Sequence, residues 1–169
     1  HDSTIVLFGS VHVLPRGLDW RPDALDEALA QADDLWFETP VGAESEAQAV
    51  QAMRESGYLP AGESLADLLS PEGRARLARV CAALSLPPEG LLRLRPWLAD
   101  VTLGVVALAR QGALVSAGVE QTLADAAPGA QRRAFETPAE QIAFFAEAPL
   151  ADQLASLEDP LKQLDEDPD

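Results

Sequence analysis

The apolar positions of this chain change period along its length, and those changes predict its elements. Thr4-Ile5-Val6-Leu7-Phe8 is a β-branched and aromatic run closed by Gly9-Ser10, the pattern of a buried strand over residues 4–9. A loop through His12, Val13, Leu14 and Pro15 follows. Arg21-Pro22 then opens a helix with proline in its first turn. Its Leu25, Ala28, Leu29 and Ala32 recur at i, i+3, i+4 and i+7, one apolar stripe. After Asp33-Asp34, Leu35-Trp36-Phe37 predicts a second strand over 35–38 that ends in Glu38. Strand, helix and strand in that order make a βαβ unit with a right-handed crossover.

Residues 41–115 change to a helical period and read as a large helical insertion. Glu46 to Ser56 predicts a helix ended by Gly57, and Ser64 caps a short one over 65–69. Ser70-Pro71 starts another that runs to about Leu84, with serine as cap and proline in the first turn. Pro87-Pro88 and Pro96 punctuate two more, the second from Trp97 to Arg110 and stopped by Gly112. Two roles stand open for this block: a lid or wall over the sheet edge, or plain helical core. Beyond it, Gly118 to Ala127 predicts a helix, and Arg133-Ala134-Phe135-Glu136 a third strand. Thr137-Pro138-Ala139-Glu140 is a capping box, and Ile142, Phe144 and Phe145 are expected on the buried face of its helix. A last helix, about 150–164, runs into an acidic tail. The fold class expected is therefore α/β, a single domain over 1–169 with a small, mostly parallel sheet and 41–115 inserted into it.

Composition narrows the function classes. The chain has 169 residues, 47% of them hydrophobic, enough for one globular core. Its net charge of −16 excludes nucleic acid and an anionic membrane surface as partners. The late acids, from Glu147 to Asp169, read as a solvated helix face and tail. Cys81 is the single cysteine, which excludes an internal disulfide and a cysteine-based zinc site. Its spacing with Leu77, Val80 and Leu84 makes it a core residue. No stretch has the length and apolarity of a transmembrane helix, and no signal-peptide pattern stands within the chain.

Three groups capable of chemistry fall at predicted strand ends: His12, Glu38 and Glu136. Open α/β sheets keep their ligands at the carboxyl ends of the strands. If residues 4–9 and 35–38 are neighbouring parallel strands, His12 and Glu38 converge on one edge. One imidazole and two carboxylates there suit a divalent metal with open positions, which lowers the pKa of a bound water and polarises a carbonyl. Each residue also has a plainer role. A strand-end histidine serves as a hydrogen-bonded structural group, and Glu136 and Glu120, each close to a helix start, favour the helix dipole. Ser10 is a poor nucleophile candidate, since besides His12 the chain has only His1 and no second histidine is available as a distinct base.

Taken together, Gly9-Ser10-Val11-His12, the helix to Ala32-Asp33 and the strand ending in Glu38 resemble the opening of the TraB/PrgY/GumN family. Pro96-Trp97-Leu98, then Gly118-Val119-Glu120 with Leu123 and Ala126, then Phe135-Glu136-Thr137 with Glu140-Gln141-Ile142 continue the resemblance in order. The wider group includes the Tiki metalloproteases and is related to ChaN-like and erythromycin-esterase-like folds. The resemblance implies a metal-dependent hydrolase acting on peptides, with His12 and Glu38 binding Mn, Co or Zn and with Glu120 or Glu136 assisting. It implies a periplasmic, secreted or membrane-associated setting. It also implies a second Gly-x-x-His late in the domain, which this chain lacks, so 1–169 reads as the N-terminal part of the domain. A homodimer, or pairing with the remainder, is then expected from an exposed sheet edge. The alternative within the family is a non-catalytic ligand- or peptide-binding protein of the pheromone-restraining or haem-binding type, using the same pocket. A third class is a helical interaction domain whose acidic surface docks a basic partner.

Overall fold

A computed structural model describes residues 4–166. In chain order they form β1 (Leu14–Pro15), α1 (Asp23–Ala30), β2 (Asp34–Phe37), α2 (Ala43–Ser56), α3 (Leu65–Leu68), α4 (Pro71–Ala83), α5 (Pro88–Leu92) and α6 (Pro96–Arg110). Then follow β3 (Ala113–Leu114), a 3-10 turn (Val115–Ala117), α7 (Val119–Ala126), β4 (Gln131–Ala134), α8 (Pro138–Ala146) and α9 (Leu150–Glu166). The helix starts are set locally. Ser64 accepts from the Ala66 amide and Ser70 from the Gly73 amide, each satisfying a donor that the helix leaves free. The capping box forms in full: Thr137 Oγ1 accepts from the Glu140 amide, and Glu140 accepts from the Thr137 amide at 2.8 Å. Those bonds from Thr137 hold the Glu140 carboxyl below its ordinary range.

The main core lies among the helices. α9 packs on both α6 and α4, and α8 packs on α2. Leu65, Leu103, Leu157 and Leu161 are fully buried there with Val80 and Cys81. Burial pushes the Cys81 thiol up, as expected of an inert core cysteine. Residues 41–115 thus carry most of this core rather than standing apart from it.

The α6–α9 contact also covers Asp100, whose carboxylate accepts from the Ser156 hydroxyl at 3.2 Å. Desolvation raises its pKa above the ordinary 3.8, against the lowering effect of that hydrogen bond. A folded-state pKa above the unfolded one gives stability that is complete below the unfolded value and lost as pH rises through the folded value. At neutral pH the charge is therefore a cost. Asp100→Asn removes it and keeps an acceptor for Ser156, so melting at pH 7 is expected to rise by about 1–3 °C. The gain should shrink towards acid pH, where Asp100 is itself protonated. A gain independent of pH would contradict this account.

Two small sheets stand beside the helical core. β2 and β4 pair in parallel, with Trp36 opposite Arg133 and Phe37 opposite Ala134. β1 and β3 pair antiparallel. On one face of the parallel pair Phe37 is buried, and Leu35 joins a second small core formed by Leu25 and Leu29 of α1 with Ala127. The other face presents Trp36 and Phe135, with ring centroids 4.9 Å apart, and Arg133 over the Trp36 ring.

Three expectations are corrected. Residues 4–9 are not a strand and do not complete a βαβ unit with α1 and β2: they run exposed outside both sheets, Leu7 at 92%. An apolar run signals a tendency to burial but does not name a partner. Here β2 has taken β4, Phe8 leans on Trp20 at 5.9 Å, and the Val11 carbonyl is bonded to α7. The third strand lies at 131–134 instead of 133–136, although the ladder continues through Phe135 and Glu136. Phe144 and Phe145 are exposed, at 67% and 48%, because α8 buries Pro138 and Ala146 instead. No helix among the described residues is long and apolar enough to cross a membrane.

Candidate functional site

His12 lies just before β1 and is fastened to the start of α7. The Val119 amide donates to the Val11 carbonyl at 3.0 Å, using one of the donors a helix start leaves free. Glu120, second residue of α7, sits near the positive end of the helix. Its Oε1 lies 2.8 Å from His12 Nδ1. The Glu120 side chain is 16% exposed and the imidazole 62%. Oε1 itself is buried, and no hydrogen-bond donor is aligned on it. The approach of Nδ1 is therefore a close contact rather than a directed N–H···O bond.

Glu38 and Glu136 are linked through their backbones. The Phe135 amide donates to the Phe37 carbonyl and the Glu136 amide to the Glu38 carbonyl at 2.9 Å, extending the parallel ladder by two residues. Both residues thus stand where β2 and β4 end, with Glu38 on the Trp36 face of the ladder and Glu136 on the Phe37 face by strand alternation. Glu38 Oε2 accepts from Gln141 Nε2 of α8 at 3.2 Å. Of the four predicted residues, His12 and Glu120 have their side chains together, whereas Glu38 and Glu136 are linked only through their backbones. Among the described residues no three of His, Cys, Asp and Glu gather as a metal cluster. The expected meeting of His12 and Glu38 on one sheet edge depended on residues 4–9 entering the sheet beside β2. Instead His12 leads into β1, whose partner is β3.

Two participants were not legible as such in the sequence. Gln141 reaches Glu38 only because α8 turns that face toward β2. Gly118 packs against the His12 backbone, and its place at a helix start before Val-Glu was the one available hint.

A model of the TraB/PrgY/gumN family matches residues 1–169, the whole chain. The chain belongs to this family. Neither a curated protein nor a solved structure matches it significantly. Whether a TraB/PrgY/gumN chain with this geometry suits a divalent cation can be asked of the His12–Glu120 pair. Two ligands each about 2.1 Å from one cation and at right angles around it lie about 3 Å apart. The observed 2.8 Å separation is close to that octahedral spacing and shorter than the roughly 3.4 Å of a tetrahedral zinc site. Imidazole nitrogen and carboxylate oxygen are ligands for Mn, Co and Zn alike. The two residues suit two positions of such a site, with Oε1 buried and His12 toward solvent.

Proposed function

We propose that this chain is a metal-dependent hydrolase acting on peptides, with His12 and Glu120 as cation ligands at the start of α7. The observation that carries the reading is the buried Glu120 Oε1, without an aligned donor and 2.8 Å from His12 Nδ1. A divalent cation held there supplies a Lewis acid that acidifies water and polarises a carbonyl. Glu120 contributes charge from the shielded side, and His12 faces solvent, the side from which a peptide carbonyl approaches. Glu38, at the end of β2 with one oxygen on the Gln141 amide, belongs to a separate group and is assigned no proton transfer at this cation. Action in the periplasm, outside the cell or at a membrane goes with this reading.

Calorimetric titration with Mn²⁺, Co²⁺ and Zn²⁺ tests it. His12→Ala is expected to weaken binding by at least about 10-fold, with peptide cleavage falling in step. Equal affinity in the unaltered chain and His12→Ala would sink the proposal. A second reading, a non-catalytic binding protein, is favoured by the exposed Trp36–Phe135 pair beside Arg133. It expects a retained peptide or small ligand and no turnover with any of the three metals.

A further inference from the structure

We infer that Gly118 is a positioning residue: its missing side chain lets the His12 backbone rest on the start of α7, so that the imidazole reaches Glu120. The inference rests on the reading above, since it concerns how the His12–Glu120 pair is built. A Cβ at position 118 would collide with the His12 carbonyl oxygen and lie 2.8 Å from the His12 carbonyl carbon. It would also stand 3.1 Å from the Val115 carbonyl oxygen. These are backbone atoms, which cannot rotate aside as a side chain does.

The requirement is for space and not for conformation, because Gly118 has φ −59° and ψ 155°, values open to any residue. Gly118 cannot retreat either. Its amide donates to the Val115 carbonyl at 3.0 Å, and its carbonyl accepts from the Thr122 amide and from Thr122 Oγ1 at 2.9 Å. On the other side, the Val119 amide grips the Val11 carbonyl. Two consecutive residues of the α7 start thus set the height of the segment Val11-His12 above the helix. The His12 side chain, largely in solvent, has no packing of its own to hold it over Glu120. A methyl at 118 lifts the segment, and the 2.8 Å contact between Nδ1 and Oε1 opens.

The test reads the pair directly. The imidazole nitrogen shifts of His12, assigned by their loss in His12→Ala, are followed by NMR in the full chain. Glu120→Gln is expected to move them in the unaltered chain and to leave them in place in a Gly118→Ala background. Equal movement in both backgrounds, or none in the unaltered chain, overturns the inference. Mn²⁺ affinity, read by broadening of the same signals, is expected to fall about 10- to 100-fold in Gly118→Ala. Undiminished affinity there also overturns it. If the unaltered chain binds no Mn²⁺, the hydrolase reading fails while the shift comparison still decides the role of Gly118. If Gly118→Ala does not fold, the Val119 amide of the unaltered chain decides instead. Protection from exchange of at least about 100-fold is expected, and free exchange overturns the inference.

Discussion

Replacing Leu157 with alanine is expected to lower stability by about 2–5 kcal/mol and the melting temperature by roughly 5–15 °C. Leu157 is fully buried on α9, the helix that packs against both α6 and α4. Its truncation removes apolar burial and leaves a cavity that two long helices cannot close by moving, since each is held by other contacts along its length. Arg79 and Asp165, paired at 2.7 Å, tie α4 to the far end of α9. The matched control is Leu7→Ala. Leu7 belongs to the most hydrophobic run of the chain but is 92% exposed, so its loss should change stability by no more than about 0.5 kcal/mol. Urea or thermal denaturation followed by circular dichroism ranks the two. If Leu7→Ala proved the more costly, the core would have to lie on the sheet and not among the helices.

The second large effect is expected at Gly57. This residue ends α2, its amide donating to the Met53 carbonyl at 2.8 Å and its own carbonyl accepting from the Arg95 amide at 2.8 Å. It therefore couples the end of α2 to the start of α6, and Arg95 adds a side-chain bond to the Ser56 carbonyl. A Cβ on Gly57 would lie 2.5 Å from the Met53 carbonyl oxygen and collide with the end of Leu98. The leucine can turn, but the carbonyl belongs to the helix and is already bonded to this residue. Gly57→Ala is expected to cost about 1–3 kcal/mol, the usual range for overpacking. Gly104→Ala, in the middle of α6 with open space where its Cβ would go, should instead stabilise by about 0.5–1 kcal/mol. Opposite signs for two glycine-to-alanine changes in one helical block would be read in a single series of melts. Equal signs would contradict the close approach at Gly57.

What could be read from the sequence is what short-range physics controls. The starts of α3, α4 and α8 follow from Ser64, Ser70 and Thr137, because a side-chain oxygen meets an amide two or three residues away whatever the rest of the chain does. The stripe of Leu25 and Leu29 and the burial of Cys81 follow from helical period in the same way. The places of Glu38 and Glu136 just beyond short strands were legible, although the third strand lay two residues earlier than expected. The family, too, could be recognised from ordered short motifs.

Long-range choices were not legible. An apolar run does not say which strand will pair with it, and β2 took β4, ninety-odd residues on, leaving residues 4–9 exposed. A run of Ile, Phe and Phe on α8 does not say which side meets α2, and Phe144 came out in solvent while Phe145, half exposed, stacks on the buried Trp97. Nor could spacing show that His12 would close on Glu120, because that contact needs a backbone-to-backbone approach between residues more than a hundred apart. Caps and periods act over one or two turns of chain, whereas pairing, facing and site assembly depend on which distant surfaces win the competition for burial.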